Sequence, residues 1–230
     1  MTQTWVVDSN CFIHLGSMAP DTFVKDIAKI LKKSNQMLFV TPGVHDEIRN
    51  VRFQKWSKRP KVLDEFKSLL STIAIDEAQI NGLGQLIGEK ASPQDVDLSL
   101  MVLASQLHRD GREVILVTDD FKMTTSGEKA NLGYTTCPPS TFIQRLSSQS
   151  PSKKKGSMKS LSRRVRAAEM RYAISRVHQY DIQAKLTWMV DSLIEDRPQS
   201  ERPISKISLK VISNGLSNEH LLVNRLKEKT

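Results

Sequence analysis

The sequence predicts an α/β protein with a central parallel sheet, followed by a basic, mostly helical C-terminal extension. Three observations lead to this prediction. Short apolar runs alternate with segments of helical periodicity up to about residue 147, a polar stretch at 148–156 interrupts the pattern, and helical periodicity then returns with many basic residues. Alternating strands and helices are typical of a parallel sheet with crossover helices. The predicted organisation is a domain at 1–147, a linker at 148–156 and an extension at 157–230.

The first half of the domain predicts two strands with helices between and after them. Trp5–Val7 is an apolar run that stops at Asp8, the first of several residues that favour turns and helix N-caps. Residues 22–33 have apolar side chains on one helical face. A second strand at 37–40 precedes Pro42, which suits the first turn of a new helix.

The second half is predicted in the same way. Residues 49–90 read as mostly helical, with one amphipathic helix over 62–70. An apolar helix at 96–107 follows a Ser-Pro-Gln-Asp sequence that is typical of a helix start. Strands are predicted at 114–117 and 134–137, and a short helix ends the domain.

Composition limits the classes of function and location. Lys and Arg total 34 against 25 Asp and Glu, and the resulting charge of +9 favours a polyanionic partner. Cys11 and Cys137 lie in apolar runs without CxxC spacing, which predicts two buried thiols and neither a disulfide framework nor a zinc site. No apolar run reaches membrane-spanning length, and the N-terminus has no basic segment typical of a signal peptide. We therefore expect a cytoplasmic protein without a membrane partner.

Acidic residues stand out at the predicted carboxyl ends of the strands. They lie just after a strand or early in the next helix: Asp8, Glu47, Asp95, Asp119 and Asp120. Carboxyl ends of parallel strands meet at one edge of the sheet, where α/β proteins bind ligands, so these side chains should converge. Taken singly, Asp8 and Asp95 could be helix caps, Glu47 a solvated helix residue, and the last pair a turn.

Convergence of these carboxylates implies a cation and a reaction. Carboxylates held together repel one another unless a cation neutralises them. Hard oxygen ligands suit Mg²⁺ or Mn²⁺. Such ions polarise a scissile phosphate and activate the attacking water, so phosphodiester hydrolysis is the natural reaction.

Four short motifs in the same order and spacing make the region from Trp5 to Leu146 resemble a PIN domain, a fold of toxin ribonucleases and RNA-processing enzymes. They are Val-Val-Asp-Ser-Asn at 6–10, Thr-Pro-Gly-Val-His-Asp-Glu-Ile at 41–48, Ser-Pro-Gln-Asp-Val at 92–96 and Leu-Val-Thr-Asp-Asp-Phe at 116–121. The resemblance implies a three-layer sandwich around a parallel sheet and a Mg²⁺- or Mn²⁺-dependent endoribonuclease. Within the family the motifs look most like those of RNA-processing proteins that mature ribosomal RNA, although the zinc-ribbon cysteines of that type are absent.

The resemblance also implies roles for individual residues. The metal ligands it implies are Asp8, Glu47, Asp95 and one of the last acidic pair, where the family pattern favours Asp120 with Asp119 as its helper. Asn10 and Thr118 are expected to orient ligands or a water by hydrogen bonding. Asp97 is an alternate ligand, but two residues beyond Asp95 on a helix it is expected to point away from that residue.

Two basic segments are predicted to bind RNA. Residues 153–176 hold most of the charge excess, and a second run follows Glu47. The predicted contacts are Arg49, Arg52, Lys55, Lys58, Arg59, Lys153, Lys154, Lys155, Arg163, Arg164, Arg166 and Arg171. Solvated basic helices are the alternative, as is docking of the extension onto the domain, a second copy or another protein.

The leading hypothesis is thus a divalent-metal-dependent endoribonuclease acting in RNA processing. Its alternatives are a non-catalytic RNA-binding or assembly module, and a PIN nuclease of the toxin type or one directed to DNA structures. Metal-dependent cleavage would distinguish the enzyme from the module, and a comparison of RNA with DNA substrates would distinguish the nucleases.

Overall fold

The structure is a computed structural model that describes residues 3–19, 21–50, 62–92 and 95–175, together with the isolated positions 182, 183, 186, 187 and 190. The chain divides into two compact units, Met1–Glu169 and Met170–Thr230. The first unit contains the sheet and all the predicted acidic residues. The predicted RNA contacts Arg52, Lys55, Lys58 and Arg59 lie outside the described residues.

A five-stranded parallel sheet forms the centre of the first unit. Its strands are β1 (Thr4–Val7), β2 (Leu38–Val40), β3 (Leu70–Thr72), β4 (Val114–Val117) and β5 (Thr135–Cys137), in the order β3-β2-β1-β4-β5. All pairs are parallel, and Val6 aligns with Phe39 on one side and Leu116 on the other. Every residue of β1 and β4 is buried, as expected for strands covered on both faces. The prediction of an α/β fold with a central parallel sheet is confirmed.

Nine helices are described, and those of the first unit flank the sheet in a way compatible with a three-layer sandwich. They are α1 (Ser9–Met18), α2 (Asp21–Lys33), α3 (Pro42–Asn50), α4 (Val62–Phe66), α5 (Glu77–Ile87), α6 (Val96–Arg109), α7 (Phe121–Lys129), α8 (Pro139–Ser148) and α9 (Ser152–Ser175). Cys11 and Cys137 are buried free thiols, as predicted. Within the described ranges, no helix combines the length and the apolar character needed to cross a membrane.

The structure differs from the predicted elements at residues 62–70. The predicted single helix ends at Phe66, and Leu70 begins β3, which pairs with β2 through Leu38 and Val40. A short apolar run fits a helix or a strand equally well by periodicity, and pairing with a neighbouring strand decides between them here. The short helices α1 and α7, which begin directly after acidic residues, were not predicted as elements.

The segment predicted as a linker is largely helical. Ser148 ends α8, and α9 begins at Ser152 after only three intervening residues. Helix α9 then inserts Met158, Leu161 and Val165 into the same hydrophobic core as the sheet. Apolar side chains at this spacing lie on one helical face, which explains why the division between compact units falls after Glu169 and not at residue 147.

Candidate active site

The candidate site lies where the strand order reverses. From β1 the chain builds β2 and β3 on one side of the sheet, then crosses to build β4 and β5 on the other. In such sheets a crevice opens beyond the carboxyl ends of the strands at this switch point. Asp8 follows β1 and Thr118 follows β4, and the Asp8 backbone N–H donates to the Val117 carbonyl at 3.0 Å. The first and fourth predicted motifs therefore meet at the switch point.

Asp8 is a buried acid on which the charges of other acids act. Its residue is 3% exposed and accepts hydrogen bonds from Thr118 Oγ1 at 2.9 Å and Ser9 Oγ at 3.2 Å. The pKa of Asp8 is raised to about 7, mainly by burial and also by the charges of Asp97, Glu47 and Asp119, while the Thr118 hydrogen bond acts in the opposite direction. Although Asp8 is the N-cap residue of α1, its side chain makes no capping hydrogen bond. The capping explanation for Asp8 is therefore wrong.

Close packing of α3 against the start of α6 brings the next two acids to the site. A Cβ atom placed on Gly43 would lie 2.6 Å from Val96 Cγ2, so the two helices approach as closely as a glycine allows. Glu47 lies one turn after Gly43, and Asp97 directly follows Val96. This contact explains how Glu47 and Asp97, which come from distant segments, both act electrostatically on Asp8.

A buried hydroxyl pair fixes the same helix contact. Ser99 Oγ lies 2.9 Å from Thr41 Oγ1 and 2.7 Å from the Val96 carbonyl. Both hydroxyl residues are buried. Buried polar groups of this kind hold a contact in one geometry, because separation would leave them without partners.

Asp95 and Asp97 lie at the start of α6 in different environments. Asp95 is the N-cap of α6, and its carboxylate accepts from the Leu98 N–H at 2.9 Å. The pKa of Asp97 is raised to about 6, mainly by burial and also by the charges of Asp120, Asp95 and Glu47, while Lys122 lowers it. Because Asp95 is extended and precedes the helix, the rule that separates helical residues two apart does not place Asp97 away from the other acids. Asp97 belongs to the acidic cluster, which here means Asp8, Glu47, Asp97, Asp119 and Asp120.

Asp119 is held by α1. Its carboxylate accepts from Asn10 Nδ2 at 2.9 Å and lies 3.3 Å from His14 Nε2. Burial alone would raise the pKa of Asp119, but the hydrogen bonds and charge of His14 and the Asn10 hydrogen bond together lower it. Asn10 thus orients an acid, as the resemblance implied. His14 was not predicted, although it lies one helical turn beyond Asn10 and therefore on the same face.

The side chain of Asp120 caps the start of α7. Its Oδ1 accepts from the Lys122 N–H at 2.6 Å and from the Met123 N–H at 3.4 Å. Thr118 Oγ1 accepts from the Asp120 N–H at 3.0 Å while its own hydroxyl donates to Asp8. Thr118 therefore links the first and fourth motifs through hydrogen bonds.

The donors of the acidic cluster have the chemistry that Mg²⁺ and Mn²⁺ prefer, namely carboxylate oxygens. Lys122 lowers the pKa of Asp97, but its ammonium group is itself paired with Glu89 at 2.7 Å. Across the part of the chain that the structure describes, no three His, Cys, Asp or Glu side chains are arranged to hold a metal ion. The fit to a divalent cation therefore rests on the donor chemistry and on the unbalanced charge around Asp8.

Several of the predicted RNA-binding cations have partners within the protein. Lys154 Nζ lies 2.6 Å from Asp26, Arg164 Nη2 donates to the Met18 carbonyl at 2.7 Å, and Arg166 lies 3.3 Å from Glu169. Arg49 pairs with its helix neighbour Asp46 at 3.7 Å. Lys153, Lys155 and Arg163 are exposed, and Arg171 belongs to the second unit.

Comparisons of the chain with protein-family models, with curated proteins and with solved structures find no match.

Proposed function

We propose that this protein is a divalent-metal-dependent endoribonuclease of the PIN type, which hydrolyses phosphodiester bonds in RNA. The observation that carries the proposal is the buried Asp8 at the switch point of the sheet, with the charges of Glu47, Asp97 and Asp119 acting on it. A cluster of this kind is costly to the fold, and perturbed acids in a crevice are typical of functional sites. The four PIN-like motifs supply the reaction class.

Asp8, Glu47 and Asp97 would hold the cation, with Asp120 or Asp119 completing the set. When bound, Mg²⁺ or Mn²⁺ supplies Lewis-acid chemistry that polarises the scissile phosphate and helps to generate the nucleophile from water. Asp95 serves α6 as a cap in this proposal, in place of the ligand role implied by the resemblance.

The protein's own side chains fix the geometry of the acids. Thr118 holds one oxygen of Asp8, while Asn10 and His14 engage the two oxygens of Asp119. These hydrogen bonds restrict rotation of carboxylates that would otherwise turn away from one another. The cluster also repels a phosphodiester by its negative charge, so substrate binding at this point should depend on the cation.

The choice of RNA rests on the basic residues and on the family resemblance. The chain carries a charge of +9, and exposed Lys and Arg on α9 favour a polyanion. Phosphate contacts of this kind give affinity without choice of sequence. An RNA-processing role follows from the subfamily that the motifs resemble most.

Cleavage assays test the proposal. Labelled single-stranded RNA, structured RNA and single-stranded DNA are incubated with Mn²⁺ or EDTA, using the wild type, Asp8→Asn and Asp97→Asn. The control is Asp110→Asn, an exposed acid at the opposite edge of the sheet. We expect Mn²⁺-dependent RNA cleavage that falls at least ~100-fold in both site variants and is unchanged in the control.

Other outcomes would replace the proposal with a specific alternative. Tight RNA binding without metal-dependent cleavage would indicate a binding or assembly module. Faster cleavage of DNA would indicate a DNA nuclease. Cleavage that survives both Asp8→Asn and Asp97→Asn would refute the site itself.

A further inference from the structure

Three basic residues of α9 form a row on its surface. Lys155, Lys159 and Arg163 follow one another at intervals of four residues and are all exposed. Residues four apart lie on the same side of a helix, about 6 Å apart along its axis. We call these three residues the basic stripe. They present a line of positive charge about 12 Å long.

The basic stripe differs from Lys154, Arg164 and Arg166 of α9 because its residues have no ion pair or hydrogen-bond partner among the described residues. Lys154, Arg164 and Arg166 each contact an acid or a carbonyl of the first unit. Lys154 therefore connects α9 to α2 and Arg164 connects it to the end of α1, whereas Arg166 pairs within α9 itself. The charge of all three residues is partly satisfied. The stripe residues make no such contact, so their charge is available to an external anion.

Contacts with α8 place the Arg163 end of the basic stripe near the edge of the sheet that carries the candidate site. Ser162 Oγ donates to the Ser140 carbonyl at 2.8 Å, and Glu169 accepts from the Ser140 N–H and hydroxyl, each at 2.7 Å. Ser140 is the second residue of α8 and comes just after β5. Helix α9 therefore reaches the edge of the sheet at which Asp8 lies, and β5 is two strands from β1, a distance of about 10 Å.

We propose that the basic stripe binds the backbone of a single-stranded segment of RNA whose adjoining nucleotides enter the acidic cluster. This inference rests on the proposed function, because that function selects RNA among polyanions. One row of cations fits one phosphate backbone, and a flexible strand can turn from α9 across the strand ends to Asp8. A stiff duplex matches a single short row poorly, because dsRNA is recognised through contacts that span successive grooves.

Binding is measured by fluorescence anisotropy with a single-stranded RNA of about 12 nucleotides in EDTA, where cleavage cannot occur. The test variant is Lys155→Gln/Lys159→Gln/Arg163→Gln. The matched control, Lys67→Gln/Arg109→Gln/Lys129→Gln, also removes three exposed positive charges. The control residues precede β3, β4 and β5, so they lie at the opposite edge of the sheet. Circular dichroism and thermal unfolding check that both variants fold like the wild type.

We expect the stripe variant to bind at least ~10-fold more weakly near 0.1 M salt, and the control to stay within about threefold of the wild type. The slope of log Kd against log salt concentration should fall by about 2 in the stripe variant, because three phosphate contacts on a single strand are lost. A duplex of the same length and an acidic peptide should bind more weakly than the single strand.

Equal effects of the two triple variants would overturn the inference, as would the absence of RNA binding by the wild type or a preference for the duplex or the peptide. Failure of the proposed function has a different signature. RNA bound through the stripe with no cleavage in Mn²⁺ would retain the inference and reject the nuclease. Normal cleavage in Mn²⁺ together with RNA binding that does not depend on the stripe would retain the nuclease and reject this inference.

Discussion

Replacing Asp8 with Asn should stabilise the metal-free protein at neutral pH. The residue is 3% exposed, and its pKa lies at about 7 instead of 3.8 because burial and neighbouring acids disfavour the anion. Ionising Asp8 in the folded protein therefore costs on the order of 4 kcal/mol at pH values above both pKa values. Asn keeps an acceptor for Thr118 but loses the second acceptor, which costs ~1 kcal/mol. We expect a net increase of ~2 kcal/mol or more in the free energy of unfolding.

The sign of the pH dependence provides the sharper test. The folded protein binds the Asp8 proton more tightly than the unfolded chain does, so the stability from this group is complete below pH 3.8 and is lost as the pH rises to about 7. Urea unfolding in EDTA should therefore give an advantage of Asp8→Asn that is small at about pH 5 and larger at about pH 8. The exposed Asp110→Asn control should change the free energy of unfolding by less than ~0.5 kcal/mol at either pH. Equal destabilisation by Asp8→Asn at both pH values would refute the inference that burial and neighbouring acids raise the pKa of Asp8.

Three further substitutions test the supports of the site. Gly43→Ala should lower the free energy of unfolding by ~1 kcal/mol or more and reduce RNA cleavage, because the new methyl group meets Val96. The control is Gly82→Ala on α5, where the methyl group enters open space and should stabilise the protein by up to ~1 kcal/mol. A gain in stability from Gly43→Ala would contradict the close helix contact. Glu169→Ala should cost ~3 kcal/mol in chemical unfolding by removing the buried partner of α8, and a change below ~0.5 kcal/mol would contradict that anchoring role. His14→Ala should weaken Mn²⁺ binding in calorimetry by ~10-fold while His14→Gln restores part of it, and identical behaviour of the two variants would argue against hydrogen bonding to Asp119.

The strands and the edge at which the acids meet could be predicted because they depend on local signals. Trp5–Val7 and 114–117 are apolar runs bounded by turn-forming residues, and parallel strands align their carboxyl ends. By contrast, the placement of Leu70 in β3 depends on pairing with β2, which no local pattern shows. The insertion of α9 into the core likewise depends on tertiary contacts, whereas its polar, Pro-containing start resembles a linker.

The choice among the acids could not be made from sequence for a similar reason. Asp95 and Asp97 are both near the start of α6, and only the structure shows that Asp95 caps the helix while the pKa of Asp97 is raised by burial and by other acids. The hydrogen bond between His14 and Asp119 joins residues 105 positions apart in the chain. Asn10 and His14 are one turn apart on α1, a helix that was not predicted, and their shared partner Asp119 follows only from the fold.

A crystal structure with Mn²⁺ tests most directly whether the carboxylates of the acidic cluster at the switch point bind a divalent cation together. Anomalous scattering distinguishes a Mn²⁺ ion from a water molecule. We expect a peak within about 2.5 Å of carboxylate oxygens of Asp8 and Asp97, with Glu47 facing the ion directly or through water. A peak ligated by Asp95 in place of Asp97, or no peak at the cluster in Mn²⁺-saturated crystals, would contradict this expectation.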